Sequence, residues 1–133
     1  MNAPSVDIKS MLENFGDSPG LGLEFADNLF IGREPSTPDN CVTIFDSEGY
    51  PPYHGLTTVG YEYPSIHIRV RNNDYITGWN MANAIKDALH GRANETWGGA
   101  LYTMIICSSG PAHLDYDDHN RVRFIINFNL QRR

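Results

Sequence analysis

The sequence has little positive charge in its first half and no long hydrophobic run. Before residue 65 only Lys9 and Arg33 are basic, and the net charge of the whole chain is -6. This balance argues against DNA binding through a broad basic face, and it fits either a generally acidic protein or one with separate acidic and basic surfaces. No apolar run approaches the ~18–20 residues of a membrane span. A basic start followed by an apolar core, typical of a secretory signal, is not seen.

Cysteine is also scarce, since Cys41 and Cys107 are the only two. They form no C-x-x-C spacing, so neither a zinc site nor a disulfide scaffold is expected. Both lie in apolar stretches, which favours buried free thiols in a reducing cytoplasm. The nucleophile elbow, the Walker loop and the dinucleotide-binding glycine pattern are all missing. His54, His67 and His90 have no partner nearby in sequence, so we expect structural roles, no catalytic residue and no cofactor.

The segment from His113 to Asn120 is the one with metal-binding side chains at close spacing. Alternate carboxylates suit a hard cation, and histidine adds a nitrogen ligand. An EF-hand loop starting at Asp115 would need glycine at its sixth position and glutamate at its twelfth, which are Asn120 and Ile126 here. Aspartate and asparagine are also typical of turns. We therefore expect Asp115–His119 to form a turn or connection and bind no metal.

Periodicity predicts two helices and at least five strands. The helices are expected at 5–15 and 73–90, and the strands at 28–33, 41–45, 66–70, 101–107 and 121–130. The 133 residues fit one domain, 1–133. The predicted fold class is α+β: a largely antiparallel sheet of about four to five strands with two helices packed on one face. Two helices supply too few apolar residues for both faces, so the other face is left for a neighbouring subunit or a long loop.

Four arginines alternate with apolar residues on two of the predicted strands. Arg69 and Arg71 share one strand, and Arg121 and Arg123 share the other. If the two strands are neighbours, the four guanidinium groups share a surface. Arginine favours bidentate pairing with carboxylates, so the acidic half of a second subunit is a suitable partner. A solvated sheet face is an equally good interpretation.

Residues 46–63 are the least regular part of the sequence and are predicted to form a long loop. The segment contains Pro51, Pro52, three glycines and four tyrosines. A loop of this length in a compact domain usually has a function. Tyrosine joins an apolar body to a polar tip and suits partner surfaces. Tyr50 and Tyr53 are therefore predicted to anchor this loop on a partner.

In its ordered set of segments, the chain resembles the bacteriophage tail terminator proteins, a group also described as phage minor capsid proteins. The matching segments are CVTIF at 41–45, YPP at 50–52, YPSIHIRVR at 63–71, the helix at 75–89, SGP at 109–111 and NRVRFIINF at 120–128. They occur in one collinear order over about residues 5–130. The resemblance implies a tail-terminator-like fold and no catalytic residues.

The resemblance also implies a structural role in the virion, at the head–tail junction. Such proteins form a ring, usually hexameric, that caps the head-proximal end of the tail tube and stops its polymerisation. The implied partners are the tail tube protein and a head completion or connector protein, with assembly in the bacterial host cytoplasm. Genomic DNA passes through the lumen without specific binding, and no membrane is involved. The alternatives are another neck or tail-completion protein and, more distantly, a small cytosolic ligand-binding module or enzyme.

Overall fold

The structure is a computed structural model that describes residues 1–16, 20–53 and 60–133, with the side chains of 50–53 excepted. Within those ranges no helix is long and apolar enough to cross a membrane. The elements in chain order are α1 (Pro4–Glu13), β1 (Leu29–Ile31), β2 (Cys41–Tyr53), β3 (Tyr61–Asn72), α2 (Tyr75–Leu89), β4 (Glu95–Trp97), β5 (Ala100–Tyr116) and β6 (Val122–Arg132).

The two helices begin in different ways. Helix α1 has Pro4 at its first position, where a missing amide hydrogen does no harm. Its first turn is tied to β2, because the amide and the hydroxyl of Ser5 both donate to the Asp46 carboxylate, at 3.0 and 2.7 Å. Helix α2 is capped by Asp74, whose side chain accepts from the amide of Thr77 at 2.9 Å. The predicted boundaries of both helices agree with the structure to within two residues.

All six strands belong to one sheet, in the order β1-β2-β3-β6-β5-β4. The β1–β2 pair is parallel, and the other four pairs are antiparallel. The predicted number of four to five strands is therefore too low, and the sheet is mixed. The missed strand is β4, which has only three residues and pairs with Ala100–Tyr102. A segment that short has no recognisable period.

The predicted irregular loop at 46–63 is wrong for most of its length. Strand β2 continues to Tyr53, and β3 begins at Tyr61, so the two form a long hairpin. The register between them shifts between Ser47 and Tyr50 and again between Tyr50 and Tyr53. Such bulges accommodate glycine and proline within a strand pair. At Gly49 an added Cβ would meet the Tyr63 carbonyl oxygen, so only glycine fits there. Residues 54–59, which include His54, lie outside the described residues.

The polar segment that follows Cys107 is also more regular than expected. Strand β5 runs on to Tyr116, and its pairing with β6 absorbs Gly110 and Pro111 through register shifts. The predicted turn remains, but it is shorter. The amide of Asn120 donates to the Asp117 carbonyl at 3.0 Å, and Asn120 has a φ of 58°. Asparagine tolerates this left-handed conformation better than most residues.

Alternate residues of the central strands enter one hydrophobic core. On β3 and β6 the buried residues are Ile66, Ile68, Val70, Val122, Phe124, Ile126, Phe128 and Leu130. Helix α1 adds Ile8, Met11 and Leu12, and helix α2 adds Ala82, Ile85 and Leu89, to the same cluster. Both helices thus contribute to the same hydrophobic cluster as the central strands. We call the opposite side of the sheet, which carries the residues that alternate with the core residues, the outer face.

Candidate assembly surface

The outer face brings three of the four predicted arginines together. Strands β3 and β6 are antiparallel neighbours, with Arg71 opposite Arg123 and Arg69 opposite Ile125. All three alternate with core residues and therefore lie on the outer face. Arg121 immediately precedes β6 and is buried. The condition for a shared arginine surface, that the two strands be neighbours, is met.

Arg71 is directed at the loop between β1 and β2. Its side chain is only 2% exposed. The guanidinium donates to the carbonyl oxygens of Pro35 and Pro38, both at 2.6 Å, and its Nε donates to that of Asp39 at 3.2 Å. A carboxylate oxygen of Glu34 lies 3.4 Å from Nη1. This arginine holds residues 34–39 on the outer face.

Arg123 forms the clearest bidentate pair of the chain. Its Nε and Nη2 donate to the two carboxylate oxygens of Asp115, at 2.6 and 2.7 Å. Its Nη1 also donates to Glu34, at 3.0 Å. The hydrogen bonds from Arg123 lower the pKa of Asp115, and those to Asp115 raise the pKa of Arg123. Both groups therefore stay charged across the neutral range.

Arg121 anchors the turn between β5 and β6 to the same loop. Its Nε donates to the Asp117 carboxylate at 2.7 Å, and its Nη1 donates to the Ser36 carbonyl and to Asp39. Burial acts to raise the pKa of Asp117, but the amides of Arg121 and His119 and the Arg121 guanidinium outweigh it and lower that pKa to about 2. Asp115 and Asp117, two of the aspartates in the candidate metal segment, thus bind arginines of their own chain.

Arg69 differs from the other three arginines because no salt bridge joins it to a carboxylate among the described residues. Its guanidinium lies over the Phe45 ring, 5.0 Å from the centroid. The His67 ring stacks on the Phe45 ring, and the two ring centroids are 4.9 Å apart. The Arg69 Nε is buried, and it has no hydrogen-bond acceptor in the part of the chain that the structure describes. Burial and the neighbouring Arg69 charge lower the pKa of His67.

Tyr50 and Tyr53 lie at the other end of the β2–β3 hairpin. The backbone register sets Tyr50 opposite Tyr63 and Tyr53 opposite Tyr61, whereas Arg71 is opposite Cys41. Their side chains are outside the description, so their role as anchors stays a prediction. The two sets of predicted contact residues are therefore at opposite ends of one hairpin.

A comparison with known protein families decides the identity of the chain. Residues 7–133 match the sequence model of a family described as bacteriophage tail terminator protein. This chain belongs to the tail terminator family. The resemblance inferred from the segment order is confirmed, and the family is one of structural phage tail proteins rather than enzymes.

A solved structure supports the same fold for this tail terminator family member. A chain from the virion of a native gene transfer agent particle superimposes with a TM-score of 0.70 over 98% of this chain and 94% of that one. The two sequences are 13% identical, so this similarity concerns the fold. A search of curated proteins finds no match.

Sequence reasoning missed a second polar network in this tail terminator chain. The Tyr102 hydroxyl donates to the buried Asp7 carboxylate, and Arg132 Nη1 donates to that hydroxyl at 3.1 Å and to the Asn2 carbonyl at 2.8 Å. Arg132 also pairs with Glu62 at 3.0 Å. Burial raises the pKa of Tyr102 well above its ordinary value. The residues are up to 130 positions apart, so no local pattern indicates this network.

The described part of the tail terminator chain contains no converging group of metal-binding side chains, and the pocket beside β2 and β3 is small. No group of three or more metal-binding side chains converges there. A pocket lined by Leu23, Val42, Val70 and Met81 has a cavity volume of about 70 Å³. Drug-sized ligands occupy pockets of roughly 300–1,000 Å³. The exposed apolar side chains are more informative, because Met104 and Ile106 on β5 are 41% and 36% exposed.

Proposed function

We propose that this chain forms a ring of six copies on the head-proximal end of the tail tube, where it stops tube polymerisation and joins the tail to the head. The observation that carries the proposal is the family match over residues 7–133. The partners are the tail tube protein on one side and a head completion or connector protein on the other. The ring assembles in the host cytoplasm, occupies the head–tail junction of the virion and contacts no membrane.

The open outer face supports assembly into a larger body. Met104 and Ile106 are opposite Gln131 and Asn129, which alternate with core residues, so these two apolar side chains lie on the outer face. Contiguous exposed apolar patches larger than a few hundred Å² mark interaction sites, and these two neighbouring side chains contribute apolar surface to this face. A ring covers such a face with a different surface of the next copy, which is a heterologous contact.

The four arginines contribute to this subunit contact in two ways. Arg69 presents a guanidinium that forms no salt bridge with a carboxylate of the described residues, although its charge acts on Asp115 from a longer distance. Arg71, Arg121 and Arg123 act indirectly, because they hold residues 34–39 in a fixed shape beside it. Tyr50 and Tyr53 add a second contact region, at the far end of the hairpin, for a neighbouring copy or an adjoining ring.

The acidic balance of the chain suits a lumen through which DNA passes. With a net charge of -6 on each copy, the ring repels phosphates rather than binding them. The arginines of the outer face do not reverse this balance, since three of the four already pair with carboxylates. DNA therefore moves through the ring without specific binding.

The experiment that tests the proposal combines light scattering after size exclusion with polymerisation of the cognate tube protein. We expect a ring mass and tubes that stop growing when the protein is added. A mass of one or two subunits at all micromolar concentrations, both alone and on tubes, contradicts the ring. A ring that binds the head connector but leaves tube length unchanged would mean that the chain occupies another position in the head–tail junction.

A further inference from the structure

The guanidinium of Arg69 is preorganised on the outer face. The guanidinium lies over the Phe45 ring, and His67 stacks on that ring. The Arg69 side chain is half-buried, and its Nε has no acceptor among the described residues, so the guanidinium is not fully satisfied within its own chain. Opposite Arg69 on β6, Ile125 adds a half-buried apolar side chain. A cation framed by aromatic and aliphatic groups is typical of the centre of a protein interface.

A complementary group lies in the turn at residues 24–27. Glu24 and Asp27 are exposed there, and no salt bridge involves either of them among the residues that the structure describes. Phe25, between them, is 47% exposed. The turn is ordered by its own backbone, since the amides of Asn28 and Leu29 both donate to the Glu24 carbonyl at 3.1 Å. An ordered turn loses little entropy when it docks.

These two features lie on different sides of the molecule. The turn is fastened to α1, because the Phe25 amide donates to Glu13 at 3.0 Å and the Lys9 ammonium lies 5.1 Å from the Phe25 ring centroid. Helix α1 belongs to the core side of the sheet, whereas Arg69 belongs to the outer face. The turn and Arg69 of one copy therefore cannot meet. The turn of one copy can meet Arg69 of the next copy in a heterologous contact.

We infer that the 24–27 turn of one copy docks on the outer face of the next, with a carboxylate at Arg69 and the Phe25 ring against Phe45 and Ile125. This inference rests on the proposed ring and names the contact that closes it. A DNA phosphate is a poorer occupant of the Arg69 site. The carboxylates of Glu34 and Asp115 line the same face and repel the closely spaced phosphates of DNA more strongly than the one carboxylate that binds Arg69.

A charge-reversal experiment in the full chain tests the contact. Arg69→Glu removes the receptor, and the double variant Glu24→Arg with Asp27→Arg reverses the turn. Each variant alone is expected to raise the concentration for half-assembly about tenfold or more, because like charges then meet in the contact. An equimolar mixture of the two is expected to restore the ring. In a ring where the two variants alternate, the acidic turn of the Arg69→Glu variant meets Arg69 of its neighbour. The basic turn of that neighbour meets the glutamate that replaces Arg69 in the next copy.

Arg33→Glu is the matched control, because it makes the same charge change at an exposed arginine. It is expected to leave assembly within about twofold of the original protein, as for a change outside the contact. A mixture that assembles no better than either variant alone overturns the inference. Rings of Arg69→Glu that stay intact but lose affinity for DNA also overturn it, in favour of a phosphate site.

The remaining outcomes are separable by measurements on the original protein and on the turn variant. If the original protein forms no ring, the proposed function fails before the contact is tested. If Arg69→Glu loses its circular dichroism signal, the turn variant decides by itself, since its substitutions are on exposed side chains. A turn variant that assembles as well as the original protein overturns the inference.

Discussion

Arg71 and Arg123, opposite each other on neighbouring antiparallel strands, are bridged by a single carboxylate oxygen of Glu34, which lies 3.4 Å from one guanidinium and 3.0 Å from the other. Two like charges directly across a strand pair repel each other. The Glu34 side chain is 11% exposed, so solvent does little to screen that repulsion. The bridge explains how the sheet tolerates this pair of arginines and why the 34–39 loop has a fixed place.

Glu34→Gln is therefore expected to destabilise the fold. The change keeps the shape of the side chain but removes the charge between two guanidinium groups. We expect a loss of about 2 kcal/mol in the free energy of unfolding, less than for a fully buried pair because Arg71 and Arg123 keep other acceptors. Urea denaturation measures the loss. Glu48→Gln, at an exposed glutamate, is the control, and an equal effect of both variants contradicts the bridge.

Tyr102→Phe tests the second polar network. The Tyr102 side chain is 1% exposed, and its hydroxyl links Asp7 of α1 to Arg132 of β6. Removing the hydroxyl leaves the buried Asp7 with one donor fewer, which is expected to lower the free energy of unfolding by about 1–3 kcal/mol. Tyr116→Phe, at a side chain that is 55% exposed, should have little effect. Thermal melting of the two variants gives the comparison, and similar melting temperatures would argue against the network.

The regular elements with a complete local pattern are the ones that the sequence predicts well. Helix α2 combines a capping aspartate, Asp74, with buried Ala82, Ile85 and Leu89 at helical spacing. Strand β6 alternates buried and half-buried residues along its entire length. In both cases the periodicity of the sequence coincides with the boundary between core and surface.

Predictions fail where the deciding contact is distant in sequence or the strand is interrupted. The bulges of β2 and β5 contain Gly49 and Gly110. In the sequence alone, glycines at these positions indicate loops, because the partner strand is not known. Alternation predicts that Arg69 and Arg71 share a strand face and that Arg121 and Arg123 share another, but only the structure shows that the two strands are neighbours. The neutralisation of the arginine charges was not predictable either, because Glu34 and Arg123 are 89 residues apart.

Acid is expected to weaken the fold partly through Asp117. The folded-state pKa of this carboxyl, about 2, lies below its ordinary value of 3.8. Its contribution to stability is therefore complete above about pH 4 and is lost as the pH falls through about 2. Asp117→Asn should be less stable than the original protein at pH 7, and its stability should fall less between pH 4 and pH 2. Urea midpoints across this range measure the slope, and equal slopes for the two proteins refute the assignment.

Removal of divalent metals is expected to change nothing. Asp115 and Asp117 already accept hydrogen bonds from Arg123, Arg121 and backbone amides, so they have little capacity left for a cation. We expect EDTA to leave both the melting temperature and the assembled mass unchanged. A fall of several degrees that calcium or zinc reverses would show that a metal site exists.

The last prediction concerns the far end of the β2–β3 hairpin. Strand β1 pairs with β2 only at Val42–Ile44, so beyond Ile44 the second edge of β2 has no strand partner within the described residues. An unpaired strand edge offers amides and carbonyls to another chain. Tyr50 and Tyr53 lie on this stretch, and tyrosine is enriched in protein interfaces.

Replacing both Tyr50 and Tyr53 with alanine is expected to impair ring formation or tail–head joining while the fold survives. Proline at 51 and 52 already restricts the backbone there, so docking loses little entropy. Tyr116→Ala, at an exposed tyrosine on β5, is the matched control. Hydrogen exchange gives an independent measurement: amides at 47–53 that face the unpaired edge should exchange more slowly in the virion than in the free protein. Equal exchange in both states, together with normal joining by the double variant, would mean that this end of the hairpin contacts no partner.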